Sequence, residues 1–139
     1  MGAFSGLGLS KTGSRALDAF TVTVAGLRAF LGTSTAPLKA RLMDQGHLAG
    51  MGNLLTDETL WRAGLDPARP ANSLTEAELK RLHRHLRATL DQLLERGGSH
   101  TGDLMAERHR NGVCPKDGTP LERRTVGGRT TYSCPRHQR

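Results

Sequence analysis

The chain has 139 residues, of which 36% are hydrophobic and only 4% aromatic, and its formal net charge is +7. This length suits one domain, or one domain with a small appended module, and the shortage of aromatic residues predicts a module held together by something other than apolar burial. Two cysteines are too few for a secreted disulfide framework, and no apolar run reaches the roughly 18 residues of a membrane span. We therefore expect a basic cytoplasmic protein with a polyanionic partner.

The N-terminal third predicts a leader followed by two short helices. Residues 1–18 are rich in Gly and Ser and show no hydrophobic period, so we predict a flexible leader that ends at about residue 20. A short helix is predicted over residues 22–31, although its β-branched start is unfavourable. A second is predicted over residues 36–45, where apolar residues recur at helical spacing and a proline stands in the first turn.

A glycine-rich turn precedes the third predicted helix. Residues 46–52 contain three glycines, too many for a helix interior, so the backbone must bend sharply here. Asn53 then predicts an N-cap, with a helix running to Ala63 and Gly64 as its C-cap. A glycine turn that leads into a helix N-terminus presents free N–H groups and a positive dipole end, which suits a phosphate. Gly52 and Asn53 are therefore candidate contacts.

The fourth predicted helix is the longest. Ser73 and Glu76 have the spacing of a capping box, and the pair Gly97-Gly98 stops the helix after Arg96. Its leucines recur every three or four residues and predict a single buried face. The basic residues between them predict a solvated outer face.

The C-terminal segment has the spacing of a zinc ribbon. Cys114 and Asp117 are separated by two residues, as are Cys134 and His137, and sixteen residues lie between the two pairs. Such spacing is a strong signal for structural zinc, and a carboxylate can complete a tetrahedral site. His109 is a spare candidate for the fourth ligand. The alternative is that the metal has been lost and only the hairpin persists.

Between the two pairs, two short β-type segments flank Gly127-Gly128, a dipeptide favoured in tight hairpin turns. Residues 107–139 hold eight Lys or Arg against three Asp or Glu, so most of the net charge lies there. Arg129 directly follows the turn, and Lys39 stands on the second predicted helix. Both are placed to contact a nucleic-acid backbone, although either one alone is more simply an ordinary surface charge.

Two strings carry a family resemblance. PLKARLMDQGHLAGMGNLLTDETLWRAGLDP, together with the later VGGRTTYSCP, resembles the C-terminal half of the formamidopyrimidine-DNA glycosylase and endonuclease VIII family, over about residues 22–138. The resemblance implies a mainly α fold: a helix–two-turn–helix bundle of about four helices over residues 21–106, followed by a small β-hairpin zinc finger over residues 107–139. It also implies that both parts grip double-stranded DNA around an extruded lesion.

The resemblance further implies roles for individual residues. Lys39 and Asn53 would contact phosphates near the flipped nucleotide, and Arg129 would contact the same backbone. One structural zinc ion would be held by the four spaced residues, where the family commonly has four cysteines. Asp117 and His137 depart from that pattern and put the identity of the ligands in question.

Catalysis is the largest departure from the family. Its enzymes begin with a separate β-rich domain whose N-terminal proline attacks the sugar and whose following glutamate moves protons. Here Met1 is followed by Gly2 and Ala3, so we predict no catalytic residue and no activity of this chain alone. We expect a monomer on the bacterial nucleoid that binds damaged or abasic DNA. The alternatives are an active glycosylase and lyase completed by a partner chain, and a nucleic-acid adaptor without catalysis.

Overall fold

The computed structural model describes residues 16–139, and these form a helical bundle followed by a small β-hairpin. A 3-10 turn, Ala71–Ser73, precedes the last helix, and two more, Ser99–Thr101 and Met105–Glu107, follow it. The regular elements in chain order are β1 (Leu17–Asp18), α1 (Val24–Leu31), α2 (Leu38–Leu42), β2 (Leu48–Ala49), α3 (Asn53–Ala63), α4 (Glu76–Arg96), β3 (Glu122–Val126) and β4 (Arg129–Ser133). The predicted fold class, mainly α with four helices and one hairpin, is confirmed.

The packed chain begins before the predicted end of the leader. β1 pairs in parallel with β2, with Leu17 opposite Leu48. Ala19 is fully buried and Val22 nearly so, and both belong to the main core. Residues 1–15 of the predicted leader lie outside the described residues. Two short backbone pairings and one small apolar side chain produce no periodic pattern, so the sequence does not indicate where the packed chain begins.

Helix α2 is shorter than predicted. It covers Leu38–Leu42, with Pro37 as its extended N-cap residue. Ala36, which was predicted to be helical, lies before the helix. Its carbonyl oxygen accepts a hydrogen bond from the backbone N–H of Ala71, which ties the start of α2 to the loop before α4. Within the residues described, no helix is long and apolar enough to cross a membrane.

Helix α3 lies at the centre of the molecule. Every residue from Leu55 to Trp61 is buried, because α4 packs against one side of α3 and β4 against the other. The helix ends at Ala63, and Gly64 takes the left-handed conformation (φ 72°) that its role as a C-cap requires. The N-cap is Gly52 rather than Asn53, since Asn53 is the first helical residue and its side chain points elsewhere.

Helix α4 begins two residues later than a box at Ser73 would place it. The capping box is formed by Thr75 and Glu78, whose side chains each bond the other's backbone N–H (3.2 and 2.8 Å). Ser73 closes the preceding 3-10 turn, and Leu74 is extended, so Ser73 cannot cap the helix. Arg69 forms an ion pair of 2.5 Å with Glu78, and Glu76 is paired with Arg28 instead of capping the helix. The leucine face of α4 is buried as predicted: Leu79, Leu82, Leu86, Leu90 and Leu93.

The hairpin has the predicted two-residue turn. Strands β3 and β4 are antiparallel, and Val126 pairs with Arg129 across the turn. Gly127 and Gly128 have φ of 59° and 77°, the left-handed values that a primed turn requires. A second small core lies between the hairpin module and α3, and it contains Trp61, Leu104, Cys114 and Cys134.

Candidate metal centre and candidate nucleic-acid interface

The structure brings the four predicted metal ligands together at the base of the hairpin. One ligand atom from each of Cys114, Asp117, Cys134 and His137 lies within 4.8 Å of the others. Asp117 Oδ2 lies 3.4 Å from both His137 Nδ1 and Cys134 Sγ, and Cys114 Sγ lies 3.7 Å from His137 Nδ1. A tetrahedron with metal bonds of 2.0–2.3 Å has edges of about 3.3–3.8 Å. These three separations match such edges, and the remaining pairs of ligand atoms lie within 4.8 Å.

His109, the spare candidate, lies apart from this group. It is exposed, and its Nδ1 is 2.7 Å from the carbonyl oxygen of Arg110. The four residues with ribbon spacing therefore form the candidate metal centre.

Helix α3 orients two of the ligands through Trp61. His137 Nε2 lies 3.0 Å from the carbonyl oxygen of Trp61, so donation to that oxygen leaves Nδ1 free to accept a metal. The indole N–H of Trp61 donates to Cys114 Sγ at 3.3 Å. The backbone N–H of Lys116 donates to the same sulfur at 3.4 Å. Two N–H groups thus point at the Cys114 sulfur, and the Trp61 carbonyl oxygen favours the imidazole tautomer that leaves Nδ1 of His137 free.

The protonation of the other two ligands is set by their surroundings. The backbone N–H of Thr119 donates to Asp117 Oδ1 at 2.9 Å, and this bond holds the pKa of Asp117 well below its usual range. Asp117 is therefore a carboxylate at neutral pH. Burial raises the pKa of the Cys134 thiol, so a bound cation would be needed to keep its sulfur deprotonated.

The predicted phosphate contacts meet at the other end of the hairpin. We call residues 127–130 the hairpin tip. The side-chain amide of Asn53 donates to the carbonyl oxygen of Thr130 at 3.2 Å. A Cβ on Gly127 would lie 2.8 Å from the Cβ of Ala40, so the tip rests directly on α2. Arg129 is exposed there, and a Cβ added to Gly52 would meet nothing within 4 Å, which leaves open space beside the N-terminus of α3.

Lys39 is buried, whereas a residue that contacts a phosphate is expected to be exposed. Its side chain is fully buried beneath the tip, where the ammonium lies 2.8 Å from Asp57 Oδ1. It donates to Thr131 Oγ1 at 2.7 Å and to the carbonyl oxygen of Thr130 at 3.1 Å. Burial lowers the pKa of Lys39, and the Asp57 carboxylate offsets part of that effect. A direct phosphate contact through Lys39 would require the tip to move.

Sequence reasoning missed the group that surrounds this lysine. An acidic residue near the start of a helix is ordinarily exposed and stabilises the helix dipole, yet the carboxylate of Asp57 is fully buried and also binds Arg108. The Arg108 guanidinium lies over the ring of Tyr132, 4.8 Å from its centroid. The sequence offered one signal, a carboxylate inside a predicted helix. It did not show that this carboxylate would be buried, because α3 is covered on both sides only in the folded protein.

Comparison with known proteins gives the family. A family model described as the formamidopyrimidine-DNA glycosylase H2TH domain matches residues 16–104. The formamidopyrimidine-DNA glycosylase of Thermus thermophilus is 47% identical over 118 residues, which cover 73% of this chain and 44% of that protein. The enzyme of the same name from Geobacillus kaustophilus is 42% identical over 116 residues, 73% of this chain and 42% of its own length. The chain thus spans less than half the length of these curated relatives.

Solved structures agree. The MutM (Fpg) protein of Thermus thermophilus superposes with a TM-score of 0.78 at 38% identity, covering 90% of this chain and 54% of that one. The Lactococcus lactis Fpg, in a complex with DNA containing an abasic site, superposes with a TM-score of 0.76 at 27% identity, covering 91% and 52%. With its four helices, its hairpin and the matched H2TH domain, the chain belongs to the formamidopyrimidine-DNA glycosylase family.

Proposed function

We propose that this chain is the DNA-binding portion of a base-excision-repair DNA glycosylase and AP lyase, and that it grips the phosphates of damaged or abasic double-stranded DNA. The observation that carries the proposal is the meeting of two elements distant in sequence. The exposed Arg129 at the hairpin tip lies beside the N-terminus of α3, where Asn53 bonds the tip. The Lactococcus lactis relative, bound to DNA with an abasic site, supports the same use of this half of the molecule.

The chemistry of the site is recognition of anions. The N-terminus of α3 offers backbone N–H groups and the positive end of the helix dipole to a phosphate oxygen. Arg129 adds a guanidinium that can bind phosphate in a bidentate manner. Lys39 contributes positive charge from behind the tip, partly neutralised by Asp57. Such contacts position the duplex and carry little sequence information, as a lesion-binding surface needs.

We further propose that the metal centre holds one structural zinc ion. Two sulfur ligands, an imidazole and a carboxylate suit zinc better than magnesium or calcium, which prefer all-oxygen sites. Cys114, Asp117, Cys134 and His137 would fill all four tetrahedral positions, so the ion would hold the hairpin base together without activating water.

Among residues 16–139 we assign no catalytic group, and we propose that this chain does not excise bases alone. Treating it with borohydride and abasic-site DNA should give no covalent adduct. An adduct would favour the alternative, an active lyase that uses an amine in this chain. Adduct formation only after adding a separate chain would favour a split enzyme.

DNA binding is tested by fluorescence anisotropy with three labelled probes: a duplex with an abasic analogue, the intact duplex, and an RNA of the same sequence. We expect the abasic duplex to bind most tightly, because it bends most easily around the tip. Arg129→Gln should weaken binding about tenfold, which corresponds to ~1.4 kcal/mol. Arg123→Gln, an exposed arginine on β3 away from the tip, is the matched control. Equal affinity for all three probes would support a general adaptor instead.

A further inference from the structure

Asp57 joins three separate segments beneath the hairpin. Its carboxylate Oδ1 lies 2.8 Å from the ammonium of Lys39 on α2. Its Oδ2 accepts a hydrogen bond from the backbone N–H of Tyr132 on β4 at 3.1 Å. The same oxygen binds the guanidinium of Arg108, which lies between α4 and the first pair of candidate metal ligands. One buried carboxylate therefore connects α3 with α2, with β4 and with the chain that leads to the metal centre.

This group is buried, and its charges lie within ion-pair distance of one another, although Asp57 Oδ1 accepts no hydrogen bond of regular geometry. The side chains of Lys39 and Asp57 have no exposed surface, and that of Arg108 is 9% exposed. Buried charges are tolerated when each has partners in good geometry, and removal of one leaves the others uncompensated. The lysine ammonium has three protons, and three oxygens lie within 3.1 Å of it, on Asp57, Thr130 and Thr131.

The connection from Asp57 to the tip is short. Asp57 orients Lys39, and Lys39 holds the carbonyl oxygen of Thr130, which is the residue after Arg129. Asn53 donates to the same carbonyl oxygen from the start of α3. Asp57 also binds Tyr132 in β4 directly, through the backbone N–H. Through Lys39 and Tyr132, Asp57 thus fixes the backbone that follows Arg129, and with it the direction in which the Arg129 side chain projects.

We propose that Asp57 is a positioning residue, which sets the hairpin tip and Arg129 against the N-terminus of α3 so that both reach the DNA backbone together. The inference rests on the proposed function. In this arrangement Lys39 links Asp57 to the hairpin tip.

The adjacent carboxylate provides a matched control. Glu58 is also buried, but it accepts the backbone N–H groups of Asp103 and Leu104 at 3.1 and 2.9 Å and pairs with Arg62 at 2.8 Å. None of these partners lies in the hairpin. Loss of Glu58 should therefore destabilise the chain without moving the tip, whereas loss of Asp57 should do both.

The test is a double-mutant cycle on the full chain, with affinity for the abasic-analogue duplex measured by anisotropy. Arg129→Gln should weaken binding about tenfold in the wild-type chain and in Glu58→Gln, but less than twofold in Asp57→Asn, because the arginine is already misplaced there. A tenfold loss in all three backgrounds, or a loss of coupling in Glu58→Gln as well, would overturn the proposal. Equal binding by wild type and Arg129→Gln would instead contradict the phosphate contact.

A second readout does not depend on DNA. Hydrogen exchange of the backbone amides in the tip should accelerate at least tenfold in Asp57→Asn and stay unchanged in Glu58→Gln. Unchanged exchange at the tip in Asp57→Asn would overturn the proposal whatever the DNA result. If Asp57→Asn does not fold, Arg108→Gln removes one partner only, and the same cycle should then show a smaller loss from Arg129→Gln than in wild type. A full tenfold loss in that variant would count against the proposal.

Discussion

The two ends of the hairpin are held by different chemistry. At the base, four ligand atoms converge from the two pairs of residues that flank the hairpin strands, and Trp61 of α3 orients two of them. At the tip, no ligand cluster is found among the described residues, and buried ions and one amide hold the strands against α2 and α3. The base suits a metal that can be removed, whereas the tip depends on charges that stay with the chain. Removing one anchor should therefore reveal how much the other contributes alone.

The largest effect is expected from removing the proposed zinc ion. A chelator, or Cys134→Ala, should unfold the hairpin base, since structural zinc contributes about 10–16 kcal/mol of apparent binding free energy in small fingers. DNA affinity should fall more than 100-fold, while circular dichroism should retain the helices, whose core is separate. Metal analysis of the purified chain should give one zinc per molecule. Full DNA affinity in metal-free protein would show that the tip anchors the hairpin unaided.

Breaking the tip anchor should have the next largest effect. Lys39→Met leaves Asp57 buried with one cation fewer, and loss of one partner of a buried pair costs about 3–5 kcal/mol. Urea denaturation should show this loss, and metal content should be unchanged. Lys80→Met, on the exposed face of α4, is the control and should stay within about 0.5 kcal/mol. A Lys39→Met chain as stable as the wild type would mean that the buried ammonium is not needed.

Lowering the pH should destabilise the helical region by protonating Glu78, which takes no part in holding either end of the hairpin. Its hydrogen bond with Arg69 lowers the pKa of Glu78 from 4.5 to about 2. A carboxyl group with a lowered folded-state pKa stabilises the fold above pH 4.5, and this contribution is lost as the pH falls toward 2. We expect ~2 kcal/mol between those limits, after allowance for the 19% exposure of the side chain.

In Glu78→Gln the free energy of unfolding should fall less steeply over the same pH range. The comparison is best made by urea denaturation of metal-free protein, so that protonation of the metal ligands does not contribute. Identical pH profiles for the variant and the wild type would contradict this assignment.

The smallest effect separates the two turn glycines. Both have positive φ, so Ala is strained at either position, but only at Gly127 would the new Cβ meet Ala40, at 2.8 Å. Gly127→Ala should therefore cost ~1 kcal/mol more than Gly128→Ala in thermal or urea unfolding. It should also weaken DNA binding severalfold more. If the two variants behave alike, the tip does not rest on α2 as described.

The sequence predicted what local spacing determines. The ribbon spacing identified the four residues that meet in the candidate metal centre, the glycine pair identified the turn, and the leucine period identified the buried face of α4. These features depend on residues a few positions apart, or on spacings that ligand geometry itself fixes.

Long-range partners were not predictable in this way. Asp57 and Arg108 are separated by 51 positions, and no pattern in either segment shows that they meet. The burial of Lys39 follows from the docking of the hairpin onto α2, which is a property of the assembled fold. Two overlapping capping boxes can be read before α4, and the arginine partners of their two glutamates, Arg28 and Arg69, are not evident from the local sequence. Charged residues in particular are expected to be solvated until the fold supplies their partners.

The central claim is that the hairpin tip and the N-terminus of α3 together bind DNA phosphates. The salt dependence of affinity for the abasic-analogue duplex tests it most directly, because each phosphate neutralised by a cation adds about 0.9 to the slope of log K against log salt concentration. Arg129→Gln should lower that slope by about 0.9, and Arg123→Gln should leave it unchanged. A slope that is equal in wild type and Arg129→Gln would contradict the account.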